Sequence, residues 1–375
     1  MGLHAEGEGG AVTGVLRDLL SELMGIPGLA GHEGRVAGAI SDRLRSLAGV
    51  EPRSDVLGNV WATFDGDPGA PSVMLFTHMD QLGFVVRRIE PDGFLRLERL
   101  GGVPERALAA QAVTICTASG DVQGVIANRS HHATPPDEKY RVLPYRELYV
   151  DAGFDSADEA AAAGVKIGAP VVYTPRAMPL GANRVTGTSV DDRAGCAVLI
   201  ELAKRLAARD GGPTVHLAFT TQEEFNLRGA LPLAQRLQPG IAIQIDLMLA
   251  SDTPDAGDLG EMRLGAGPGM SLYSFHGRGT LNGVIPHPGL VALAEEAAEA
   301  EGLTLQRSAQ TGVLTDLSYV QLVGEGVAAL DLGYPMRYSH SALEVCDLRD
   351  LEGLVVLLNA LLARIGPEFR LERFG

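Results

Sequence analysis

Apolar and polar positions follow two different rhythms along this chain. From Val15 the apolar residues Leu16, Leu19, Leu20 and Leu23 recur at helical spacing and predict an amphipathic helix that ends at Gly25-Ile26-Pro27-Gly28. Val36, Ile40, Leu44 and Leu47 predict a second helix, stopped by Gly49. A Gly58-Asn59 turn then leads into a short strand around the only tryptophan, Trp61. Val73-Met74-Leu75-Phe76 is a continuous apolar run, as in a strand covered on both faces, and it ends in Thr77-His78-Met79-Asp80.

From Gly83 to about Pro179 the rhythm changes. Short alternating segments, Phe84-Val85-Val86, Phe94-Leu95-Arg96-Leu97, Ala112-Val113-Thr114-Ile115 and Val122-Gln123-Gly124-Val125-Ile126, are separated by Gly, Pro and Asp turns, which predicts a small β-barrel or sandwich. A short helix capped by Ser156 and a strand at Val171-Val172-Tyr173 complete it. Helix and strand then alternate again. A helix is expected from Ala194 to Ala208, a buried strand from Thr214 to Phe219, a segment to Leu237 that Pro232 starts late or kinks, and a strand from Ile241 to Ile245. Helices at about 287–302 and 347–365 and a strand at 327–332 follow.

The 375 residues suffice for two domains, and 46% hydrophobic with 21% charged residues describes a globular protein. Residues 1–13 are rich in Gly and Ala without periodicity and are expected to be a flexible tail. The net charge of −16 argues against nucleic acid and anionic membranes as partners. Cys116, Cys196 and Cys346 are odd in number and form no CxxC, so reduced thiols are expected. The chain begins without a basic, apolar leader, and the expected location is cytoplasmic.

Several presumed strands end in a metal-ligating residue type: His78, Glu224 and Asp246, joined by Asp191 at a loop-to-helix junction and His340 after the last strand. Open α/β sheets bind ligands outside the carboxyl ends of their strands, where residues distant in sequence meet. Two histidines and three carboxylates suit two divalent ions, zinc or cobalt with manganese also acceptable, better than one structural zinc. Such a pair of ions shares and acidifies a water, and Glu223, the neighbour of Glu224, is the candidate general base. Asp80, two residues after His78 on the same side of the strand, is the candidate carboxylate that orients it. The bland readings are a solvated Glu-Glu turn, a helix-capping Asp192 and, for His32 and His131-His132, surface and loop positions.

Taken together, LGNV, HMDQLGF, GVIANRSHH, LYVDAG, TSVDDRAG, TTQEEFNLRGA, QIDLMLASDTP, LTDLSYV and RYSHS, in this order and spacing from about Leu16 to Ile365, resemble the co-catalytic metallo-aminopeptidases that include glutamyl aminopeptidase, the FrvX-like proteins and the tetrahedral (TET) aminopeptidases. The resemblance implies an α/β fold: a mixed sheet flanked by helices, like the catalytic domain of zinc aminopeptidases, over 14–82 and 180–375. It further implies an inserted PDZ-like β-barrel over 83–179 that serves dimerisation. Carried over by resemblance, His78 and Asp246 would hold one metal, Glu224 and His340 the other, and Asp191 would bridge, with a cis peptide after it. Glu223 would activate the water and Asp80 would orient a ligand histidine.

The implied activity is removal of N-terminal residues from peptides with a free N-terminus, by a homo-oligomer built from dimers, since the family commonly forms dodecamers. Three departures bear on specificity. Phe225-Asn226 replaces Val-Gly, Gln81 replaces a frequent Glu, and Val313-Leu314 replaces Gly-Gly, which is expected to narrow the substrate pocket. A dinuclear deacylase or carboxypeptidase would use a similar ligand set, and a glycoside hydrolase or a non-catalytic assembly protein are the readings from other classes. The preferred N-terminal residue, the native metal and the number of subunits are open at this level.

Overall fold

The computed structural model describes residues 5–276, 283–311 and 313–374. Among them a twelve-stranded sheet forms the spine. Nine strands run in the order Arg53–Ser54, Val60–Phe64, Val215–Thr220, Val73–His78, Ile241–Leu249, Ala328–Arg337, Glu344–Asp347, Arg184–Gly187 and Ala177–Leu180. Gly269–Phe275 pairs with Ala328–Arg337 and carries the remaining two, Gly283–Val284 and Gln306–Thr311. The four central strands, Val215–Thr220 to Ala328–Arg337, are mutually parallel, so their carboxyl ends lie along one edge.

The continuous apolar runs have the physical reason expected of them. In Val73–His78, Val73 and Leu75 enter one core cluster while Met74 and Phe76 enter another on the opposite face. Ile241, Ile243 and Ile245 against Ala242, and Leu330 and Leu332 against Ala329, repeat that division. One face packs on the helices Gly34–Ala48, Val190–Ala207 and Leu348–Leu362, and the other, with Trp61, Met74 and Phe76, on Ala230–Leu237 and Leu317–Val320. Each fully buried Leu, Ile or Phe contributes on the order of 1.5–3 kcal/mol.

Six strands, Gly83–Ile89, Leu95–Leu100, Ala112–Ile115, Val122–Ile126, Val150–Asp151 and Pro170–Tyr173, close into a separate antiparallel barrel. Phe84, Val86, Leu95, Leu97, Val113, Ile115 and Val171 fill it. Ser156 caps the helix Ala157–Ala162 by accepting the Glu159 N–H at 3.3 Å. The architecture is therefore the expected one: α/β, a mixed sheet flanked by helices, with a closed β-barrel in the interior of the chain.

Local differences have local causes. The first helix runs Ala5–Met24, starting ahead of Val15, because Ala and Glu propagate a helix and each Gly subtracts only about 1 kcal/mol. Val190–Ala207 contains two non-helical residues, Asp191 and Asp192, joined by a cis peptide, so regular helix begins beyond them. Pro232 falls in the first turn of Ala230–Leu237, where no intrahelical N–H is needed. The final parallel strand extends to Arg337, beyond the 332 expected. No helix among the described residues is long and apolar enough to cross a membrane, and all three cysteines are free.

Candidate active site

Strand register builds the site. Thr220 pairs with His78, and Gln244 pairs with Phe76, so Asp246, two residues further, comes level with His78. His78, 1% exposed, points Nε2 at Asp191 Oδ1, 2.9 Å away. One ligand atom each from His78, Asp191 and Asp246 lie within 4.8 Å of one another, and the same holds for Asp191, Glu224 and His340. Asp191 belongs to both groups. His340 Nε2 is 3.6 Å from Asp191 Oδ2 and 3.8 Å from Glu224 Oε2. All five residues, together with Glu223, line one cavity of about 610 Å³.

Buried acceptors hold these residues by their backbone. Asp80, fully buried, accepts the Glu223 N–H at one carboxylate oxygen and the Glu224 N–H at the other, both at 3.0 Å. Its Oδ1 is also 3.5 Å from His78 Nδ1, at the limit of hydrogen bonding. Glu344, 2% exposed, does the same for the other half: it accepts the Asp191 N–H at 3.1 Å and the His340 N–H at 2.6 Å. His340 Nδ1 lies 3.0 Å from the Gly102 carbonyl, in the loop that follows a barrel strand. In both histidines Nδ1 faces an acceptor, and Nε2 is the ring nitrogen turned toward the carboxylates.

The loop that carries the Glu pair is bent to shape. Gln222, Asn226 and Leu227 all have positive φ, at 56°, 64° and 56°. Asn226 thus adopts the left-handed backbone that the Gly of the resembled pattern would, as Asn does more readily than most residues. Glu33 accepts the Gln222 N–H at 3.0 Å and the Gly31 N–H at 2.7 Å. Arg193, wholly buried, donates to the Met79 carbonyl and, at 3.3 Å, to that of Ile26. Gln81 accepts the Gly28 N–H at 3.0 Å. Asp192 accepts from Gly195 N at 3.0 Å, the helix-capping role expected of it, and from the Tyr334 hydroxyl at 2.7 Å.

The electrostatics suit cations. Burial pushes the Glu223 and Asp246 carboxyls well above the usual range and Glu224 up to about 7, and neighbouring carboxylates add to each. Burial also acts on Asp191, but His78 and His340 outweigh it and hold the group below its ordinary value. Burial works against protonation of His78, yet its bonds to Asp191 and Asp80 carry it above the usual imidazole value. Among the described residues no Lys or Arg lines the cavity. Buried Glu224 Oε1 and His78 Nδ1 have no well-formed hydrogen bond to any described residue. Two imidazoles and three carboxylates, short of positive charge, are a donor set that fits two borderline divalent ions.

Of the expected site residues, His78, Asp80, Asp191, Glu223, Glu224, Asp246 and His340 all meet here. His131 and His132 are exposed in a 3-10 turn and belong to neither ligand group. His32 is exposed as well. Val313 and Leu314 both line the cavity. Glu33, Gly102 and Glu344 lie outside the motifs, and Arg193, although inside TSVDDRAG, has no role assigned by the sequence. Their roles arise from tertiary contacts between segments 114 to 238 residues apart, and Glu344 closely follows His340.

Comparison with known proteins gives the site its context. Residues 58–357 match the family model described as M42 glutamyl aminopeptidase. A lysyl aminopeptidase of Pyrococcus furiosus is 31% identical over 93% of this chain and 97% of its own. The solved structure of an aminopeptidase from the archaeon Desulfurococcus kamchatkensis superposes with a TM-score of 0.87 at 33% identity, covering 95% of this chain and 96% of that one. The TET1 peptidase of Pyrococcus horikoshii, described as able to assemble into a tetrahedron or a large octahedral shell, superposes with a TM-score of 0.83 at 29% identity over 92% of this chain and 99% of that one. With the family model spanning most of the sequence, the chain belongs to the M42 aminopeptidase family and is a peptide hydrolase.

Proposed function

We propose that this protein removes N-terminal residues from peptides by a water activated between two divalent metal ions. The observation that carries the reading is the pair of ligand groups sharing Asp191, with Glu223 lining the same cavity. His78 and Asp246 would hold one ion, Glu224 and His340 the other, and Asp191 would bridge them. Zinc or cobalt suits this set best, and manganese is accepted by it. When bound, the ions supply an acidified water and polarise the scissile carbonyl.

The residues of the chain do the rest. Glu223, held by its N–H to Asp80, takes a proton from the attacking water and returns it to the leaving amine nitrogen. Burial that raises its proton affinity suits a group that must bind a proton and then release it. The N-terminal direction of action is taken from the aminopeptidase family to which the chain belongs.

Within the inserted segment 83–179 the barrel, Gly83 to Tyr173, is taken to pair subunits, with dimers as the unit of a larger homo-oligomer; TET1 is itself described as assembling into a tetrahedron or a large octahedral shell. Three free cysteines suit a cytoplasmic protein. The experiment is a panel of aminoacyl-nitroanilides and unblocked peptides, presented to chelator-treated protein with zinc, cobalt or manganese restored singly. Metal-restored release of N-terminal residues is expected. Hydrolysis only of N-acylated or C-terminal substrates would assign a deacylase or carboxypeptidase, and chelator-resistant cleavage of a glycoside would assign the other hydrolase class.

A further inference from the structure

Beside the 610 Å³ cavity lies a second, of about 30 Å³, and the two share Asp246, Leu247, Leu249, Val313 and Thr315 as walls. Met248, Ser271, Tyr273, Ser274, Gln310 and Asp331 also line the small cavity. Asp331 lies on the parallel strand next to Ile241–Leu249, in register with Gln244, whose side chain bonds Asp246. A side pocket thus adjoins the candidate metal centre at Asp246 and has a further carboxylate, Asp331, in its wall.

That carboxylate is poorly satisfied. Asp331 is 4% exposed; the Thr315 hydroxyl donates to Oδ1 at 3.2 Å, but Oδ2 is buried without a hydrogen-bond partner among the described residues. Ser274 Oγ, in the same pocket, is buried and unpartnered in the same sense. No Lys or Arg among the described residues lines either cavity. Burial pushes the Asp331 carboxyl up to about 7, a penalty that a cation beside it would offset. An unpaired buried carboxylate costs several kcal/mol in proteins, so its retention in a pocket calls for a donor from outside.

We propose that Asp331 belongs to the pocket for the side chain of the peptide's N-terminal residue and selects lysine. The inference rests on the aminopeptidase reading above and adds the substrate class to it. A lysine side chain matches the walls in kind. Its aliphatic stem would lie along Leu247, Leu249 and Val313, and its ammonium would meet Asp331 and Ser274. A space of about 30 Å³ suits a compact ammonium better than a larger, planar guanidinium, which disfavours arginine. An acidic N-terminal residue would set a second carboxylate against Asp331, with no cation among the described lining residues, and is rejected.

The test compares lysyl-, norleucyl-, arginyl-, alanyl- and glutamyl-nitroanilides on the metal-loaded full chain and on Asp331→Asn. In the wild type kcat/KM for lysine should exceed that for norleucine, its equal in length without the charge, by about 10-fold or more, the size of a charge-assisted hydrogen bond. Asp331→Asn should abolish most of that ratio and leave alanine within about 3-fold. A norleucine preference equal to or above lysine in the wild type overturns the proposal without any variant. A lysine-to-norleucine ratio unmoved in Asp331→Asn also overturns it. If the wild type releases no residue at all, including alanine, it is the aminopeptidase reading that has failed.

Discussion

The carbonyl oxygen of Gly102 lies 3.0 Å from Nδ1 of His340, so a loop next to the barrel sets the ring of a candidate metal ligand beyond the last parallel strand. The fit leaves no space. A Cβ on residue 102 would come 2.8 Å from His340 Nδ1. Gly102→Ala should therefore turn the ring and weaken binding of the ion at Glu224 and His340 by about 10- to 100-fold, the usual effect of losing a supporting hydrogen bond. The ion at His78 and Asp246 should be retained. Calorimetric titration of the stripped protein reads both sites, and two unaltered affinities would show that the carbonyl does not govern the ring.

Glu223→Gln separates binding from chemistry. Its backbone N–H still reaches Asp80, so the ligand groups should keep their arrangement. Turnover of the best nitroanilide is expected to fall by about 10²- to 10⁴-fold, with metal content unchanged. Near-normal turnover would move the base to another residue.

Asp80 uses both oxygens on the N–H groups of Glu223 and Glu224. Asp80→Asn turns one of those acceptors into a donor facing a donor. The mismatch should cost about 1–3 kcal/mol at a buried site and shift the Glu pair, lowering kcat more than it lowers the melting temperature of the metal-free protein. An equal loss in metal-free stability and no change in kcat would limit Asp80 to a folding role.

Stripping metal should destabilise the protein as well as silence it. The cavity holds Asp191, Glu223, Glu224 and Asp246 together, with no Lys or Arg among its described lining residues to balance them. Ions that bind only the folded form add about 2.7 kcal/mol at 100 times their dissociation constant. Thermal unfolding with and without chelator measures the difference, and coincident transitions would show that the folded chain tolerates the bare carboxylates.

Periodicity makes most of the frame legible in the sequence. Alternate residues of Val73–His78 go to opposite faces of the sheet, and the register of parallel strands then carries His78 and Asp246 to one level. Strand ends are legible because an apolar run must stop where polar side chains begin. Two kinds of feature are not. Short strands such as Val150–Asp151, and edge strands such as Ala177–Leu180, with three exposed residues, have too little apolar content to leave a pattern. Glu33 and Glu344 hold the site by accepting backbone N–H groups at their carboxylates, and Gly102 by its carbonyl, so one side of each bond is a backbone group that nearly every residue type possesses. Their positions become informative only once the chain is folded.

The sheet also imposes an order of assembly. The strand Val73–His78 is made early, yet its two neighbours, Val215–Thr220 and Ile241–Leu249, come from far down the chain. The barrel, by contrast, closes on strands that all lie between Gly83 and Tyr173. During synthesis the barrel can be finished and compact while the flanking Val73 strand still has both edges bare. That apolar segment stays unpaired until the second half of the sheet emerges, and the last of the candidate ligands to arrive is His340.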